Sequence, residues 1–158
     1  MKKNLLNLLV TAIFTVMLVT VATQAQPRQA RGQMYTKADV KRVIDRVEER
    51  VDNFVGNFDN SLDNSRLNGS RREDNLNDRA KDLERATDEL SREFSKRDAW
   101  IENKDEVRRC LNIATDLDKA MRNRRLGKKT ETNWANVRYE LNTLAKIYNL
   151  PQVGSGVY

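Results

Sequence analysis

Apolar residues return along the chain at steps of three and four from Val40 onward: Val40, Ile44, Val47, Val51, Phe54, Phe58 and Leu62. That spacing holds one helical face for about six turns, with Asp45, Asp52, Asp59 and Asp63 on the opposite side. Thr36, with Asp39 three residues on, supplies a cap. Leu67-Asn68-Gly69 supplies the stop, because Gly adopts the left-handed turn that ends a helix. Ser70-Arg71-Arg72-Glu73 has the form of a capping box and opens a second helix with Leu76, Ala80, Leu83, Thr87, Leu90 and Phe94 inward. It should end near Lys96-Arg97, where cations suit the negative helix end. Trp100-Ile101, an apolar pair in a polar connector, reads as a plug over the end of the fold. Asn103 with Glu106 repeats the cap pattern before Val107, Cys110, Leu111, Ala114, Leu117 and Met121, and Leu126-Gly127 closes this third helix. Thr130 opens a fourth, with Trp134, Val137, Leu141, Leu144 and Tyr148 inward and Leu150-Pro151 at its end.

Each helix carries one apolar stripe and a charged remainder, so none is stable until its stripe is covered. The fold class that follows is all-α. Four amphipathic helices with short connectors are arranged most simply as an antiparallel up-down-up-down four-helix bundle over residues 35–150. A three-helix core with the fourth helix packed across it is the competing arrangement. Ahead of the helices, Met1-Lys2-Lys3, a mostly apolar run from Leu5 to Val21, and Ala22-Thr23-Gln24-Ala25 have the layout of a secretory signal peptide. Cleavage after Ala25 makes residues 1–25 the signal peptide, 26–34 a flexible leader and 151–158 a loose C-terminal tail. The protein is then exported, periplasmic or secreted. An uncleaved inner-membrane anchor over residues 5–22 is the alternative; Asn4, Asn7 and the polar stretch after Ala25 weigh against it.

Composition narrows the chemistry. With only 6 Gly and 2 Pro in 158 residues, the chain lacks the punctuation a many-stranded sandwich needs. With 0 His and 1 Cys it cannot build a Ser-His-Asp or Cys-His pair, a zinc finger, a facial iron triad or an internal disulfide. No acid lies centrally on any inward face, so the Glu-rich di-iron site of some helix bundles has no ligands here. The run Asp59 to Ser65 resembles a calcium loop, but counting from Asp59 the sixth and twelfth positions are Asn64 and Ser70 instead of Gly and Glu. No metal, cofactor or catalytic residue is therefore assigned.

The formal charge is +6; removing residues 1–25 takes two lysines and no acid, leaving +4. Six bases and no acid fall between Lys119 and Thr130. In the up-down-up-down arrangement the connector between helices three and four lies beside that between helices one and two. Arg66, Arg71, Arg72, Lys119, Arg122, Arg124, Arg125, Lys128 and Lys129 then form one basic pole, partly offset by Asp63, Glu73 and Asp74. Such a pole suits phosphate or carboxylate groups on lipid, an envelope polymer or an acidic protein. No aromatic residue interleaves with these bases, which argues against nucleic acid as partner. Asn53, Asn57, Asn60 and Asn64 form a polar row beside the acidic face, either solvated surface or a place for a glycan or peptide. Cys110, in phase with the third apolar stripe, is a small buried thiol or else a thiol that joins two chains.

Two stretches, Leu62 to Ser70 leading into Glu73-Asp74-Asn75-Leu76-Asn77, and Trp134 to Asn142 continuing to Leu144-Ala145 and Tyr148, carry a resemblance. Over about residues 35–150 the chain resembles uncharacterised exported bacterial helical proteins, a group with no assigned activity. The resemblance implies a bacterial, exported setting and no chemistry. The reading that results is a non-catalytic binding or structural module of the cell envelope that docks an envelope protein, anionic lipid or polymer. A self-assembling or chaperone-like protein is the alternative, as homo-oligomer, and an enzyme working with carboxylates alone is a further one.

Overall fold

A computed structural model describes residues 35–122 and 126–155; the expected signal peptide, the leader, Arg124, Arg125 and residues 156–158 lie outside the described residues. Four α-helices follow one another: α1 (Lys37–Asp63), α2 (Arg71–Lys96), α3 (Lys104–Met121) and α4 (Lys128–Ile147), with a 3-10 turn over Trp100–Asn103 before α3. Among the described residues there is no strand and no helix long and apolar enough to cross a membrane. Helix α1 packs on α2 and α4, α2 on α3, and α3 on α4, so every helix meets two others.

The stripes make the core. Val40, Val47, Val51, Phe54, Phe58 and Leu62 of α1 are fully covered, as are Leu83, Leu90, Val107, Leu117, Val137, Leu141 and Leu144. Burying one such side chain contributes roughly 1.5–3 kcal/mol. The ring of Phe54 lies 4.7 Å from that of Phe58 and 5.1 Å from that of Trp134, filling the space between α1 and α4. Cross-links fix the ends: Lys37 donates to the carbonyl of Arg97, Arg97 pairs with Glu106 at 2.6 Å, and Thr130 donates to Ser61 at 2.6 Å.

The helix ends depart from the sequence expectations in four places. Ser70 caps α2 through the N–H of Glu73, but the Glu73 carboxylate reaches one residue further back, to the N–H of Gly69 at 2.6 Å. Asn103 makes no side-chain cap: the 3-10 turn runs straight into α3, its Ile101 carbonyl takes the Lys104 amide, and the Asn103 side-chain amide turns to the Trp100 carbonyl. Helix α3 ends at Met121, where Arg122 swings to ψ 142. Helix α4 starts at Lys128 from Gly127, whose φ of +90 favours glycine; Thr130 is thereby placed inside the helix and against α1.

Two expectations are corrected at the ends of the fold. Trp100 does close it, edge-on to Tyr148 at 5.2 Å, but Ile101 stays 50% exposed. The tail is not loose over its described part. Asn142 holds Val153 by both backbone groups, at 2.7 and 3.2 Å, and the Val153 side chain enters the core.

Candidate functional site

The connector after α1 is built from local bonds. Asn68 donates to the carbonyl of Asp63 at 2.6 Å, Ser65 N–H bonds Leu62 O at 2.9 Å, and Gly69 turns with φ +74. Its bases Arg66, Arg71 and Arg72 are exposed, as are Lys128 and Lys129 on the first turn of α4. Ser65 and Gly127 line one depression of about 450 Å³, which places the two connectors side by side. Lys119 and Arg122 are engaged differently: Lys119 lies 3.8 Å from Asp116, and Arg122 lies 3.0 Å from Asp118.

From this end a polar groove runs along the seam between α1 and α4. Asn53, Asn57, Asn60 and Asn64 each donate an amide hydrogen to the carbonyl four residues back, at 2.8, 2.6, 3.4 and 2.7 Å. Such back-bonding occupies one of the two side-chain N–H groups and leaves the other, together with the side-chain carbonyl, facing outward. A second depression of about 300 Å³, sharing Asn57 and Lys129 with the first, adds Arg50, Asn53, Asn133 and Asn136. No carboxylate lines either one. Asp52 lies on the other flank of α1, where burial and the Asp88 carboxylate push its carboxyl above the ordinary value, and Glu84 is raised by burial, Asp52 and Asp88.

Three acids are buried where none was expected on the inward faces: Glu73, Asp118 and Glu140. Each sits at a helix flank and is covered by a partner. Glu140 takes the Arg46 guanidinium at 3.0 Å, and Glu73 takes the Gly69 amide. Asp118 receives the indole N–H of Trp134 at 2.9 Å, Arg122 at 3.0 Å and Arg138 at 3.4 Å. Among the described residues no two of these acids share a partner, and each anchors a different contact. Cys110 is buried and donates to the carbonyl of Ala86 at 3.3 Å, and burial pushes its thiol up to about 12. A disulfide joining two chains would have to open the contact between α2 and α3. Among the described residues no group of three or more acids and thiols is placed to hold a metal ion.

No protein family, curated protein or solved structure matches the chain. The sequence brought out one wall of the groove, the asparagine row, and missed the other, Asn133 and Asn136. These stand four and seven residues after Lys129, on the flank of the α4 stripe. Asp118 was missed because it sits beside the stripe residue Leu117; the signal was Trp134, whose indole N–H needs an acceptor when buried.

Proposed function

We propose that the protein is an exported, non-catalytic binding module of the bacterial cell envelope, freed of residues 1–25, that docks on anionic lipid through its basic end. In this reading it is an antiparallel up-down-up-down bundle. The bonds Lys37 to Arg97, Arg46 to Glu140, and Arg109 to Glu89 support opposed directions for neighbouring helices. The observation that carries the reading is the exposed set Arg66, Arg71, Arg72, Lys128 and Lys129 around connectors that share one depression, with Asp63, Asp74 and Glu131 as the exposed acids nearby in sequence.

Near an anionic membrane each base contributes about 1 kcal/mol, so reversing three of them should lower partitioning at least about 100-fold. The test is sedimentation of the full chain with phosphatidylcholine vesicles doped with phosphatidylglycerol, at low and at high salt. Arg71→Glu/Arg72→Glu/Lys128→Glu should abolish the salt-sensitive fraction. Acids at the first turns of α2 and α4 suit the positive helix ends, so the melting temperature should hold or rise. An unchanged salt-sensitive fraction sinks the reading.

A further inference from the structure

The groove between α1 and α4 differs in chemistry from the depression between α2 and α3. The depression between α2 and α3 mixes both signs, with Asp82, Asp88 and Glu89 beside Arg85, Arg92 and Arg109. The α1/α4 groove instead offers amides, hydroxyls and two cations, Arg50 and Lys129. Neither cation is in an ion pair among the described residues. From Arg50 to Asn64 the groove follows 14 residues of helix, roughly 21 Å at 1.5 Å per residue.

A ligand for this groove must both donate and accept hydrogen bonds repeatedly, as hydroxyls do, because each back-bonded asparagine still presents its carbonyl and a second N–H. It must carry negative charge to meet Arg50 and Lys129, with no carboxylate there to repel it. It needs no hydrophobic bed, since Leu126 is the one apolar side chain of the lining, and no stacking platform, since no ring lines either depression. Acyl chains and unpaired bases fail these conditions; a hydroxyl-rich polyanion meets them. We propose that the α1/α4 groove binds a strand of acidic polysaccharide, its hydroxyls donating to the asparagine carbonyls and its carboxylates seated on Arg50 and Lys129. This rests on the reading of the protein as a binding module, and it needs none of Arg66, Arg71 or Arg72.

The probe is an oligogalacturonate titrated into the isotope-labelled full chain and followed by backbone amide shifts. A neutral glucan oligomer of equal length and inorganic polyphosphate form the other arms. Shifts should concentrate in residues 50–64 and 129–136, with the neutral glucan at least about tenfold weaker, since it lacks the charge-assisted bonds. Asn53→Ala/Asn57→Ala/Asn136→Ala removes three acceptors and should weaken oligogalacturonate about tenfold or more. Ala prefers helix to Asn, so the melting temperature should hold or rise. Arg50→Glu should weaken binding similarly, whereas Arg71→Glu/Arg72→Glu should change it less than about threefold at physiological salt. The proposal is overturned if the triple Ala variant binds like the parent, or if polyphosphate binds as tightly and ignores that variant, because the groove would then read charge alone. Binding lost in Arg71→Glu/Arg72→Glu but kept in the groove variants also overturns it, while leaving the basic end as the docking site.

Discussion

The Asp118 carboxylate ties α3 to α4, and its removal offers a sharp test of the packing. It is 7% exposed as a side chain, whereas its partners Arg122 and Arg138 are 40% and 41% exposed. The tail lies over the same group: a Cβ on Gly154 would stand 3.5 Å from Arg138 and 3.8 Å from Asp118. In Asp118→Ala the buried Trp134 N–H loses a charged acceptor, which costs about 1.5–3 kcal/mol. The half-exposed arginines add only about 0.5–1 kcal/mol, because solvent already screens them. The total of about 2–4 kcal/mol, set against an unfolding entropy of roughly 0.25 kcal/mol per degree for a domain of this size, lowers the melting temperature by about 8–16 °C. Asp118→Asn keeps an acceptor for the indole and should lose only about 4 °C. Thermal unfolding followed by circular dichroism measures both, and the exchange rate of the Trp134 indole proton reports the bond itself. High salt should leave most of the loss in place, since only the arginine part is screened. An Ala variant melting within about 2 °C of the parent, or an Asn variant equal to the Ala one, refutes the reasoning.

Three further outcomes follow from individual environments. Gly56 is helical and a Cβ there meets nothing within 4 Å, so Gly56→Ala should stabilise by about 0.5–1 kcal/mol, seen as a rise of about 2–4 °C; a fall would mean α1 is not continuous there. Folding raises the Glu84 and Asp52 carboxyls above their ordinary values, so the folded state holds those protons more tightly, and stability is reduced at neutral pH and recovered as pH falls through the raised values. Glu84→Gln should therefore melt higher than the parent at pH 7 by a few tenths of a kcal/mol, with the gap closing in acid; a gap independent of pH contradicts this. Cys110 should resist a thiol reagent at pH 8 until denaturant is added, because burial holds its thiol at about 12; native labelling at the denatured rate would contradict the burial.

The helices were legible because burial in a helix is written into the spacing of single residues. Phe54, Leu83, Leu117 and Leu141, one from each stripe, are all fully covered, and nothing beyond the 3.6-residue period was needed to place them. Caps were less legible because a cap depends on what precedes it. Thr36 works with Asp39 as a reciprocal pair, since an extended residue leads into α1. Asn103 fails because a 3-10 turn precedes α3, and Thr130 is overtaken by the glycine start of α4. The tail was misread because its anchor lies in another element: Asn142 holds Val153 across eleven residues.

The groove sits between these cases. Four asparagines at helical spacing are visible in one sequence segment, and alone they describe a wet face as well as a binding wall. What changes their meaning is the opposite wall, and that depends on which helices are neighbours. With α1 against α4, the asparagines face Lys129, Asn133 and Asn136, and Asp52 is left on the α2 flank with Glu84 and Asp88. Packing thus places the asparagines and Arg50 on one seam and Asp52 on the other, while Glu140, further along the α1/α4 seam, is paired with Arg46. A helix that needed only solubility could mix these types around its whole polar arc. The segregation shapes the groove's potential while leaving the buried stripe untouched, which is why stability and binding should respond to different substitutions in this protein.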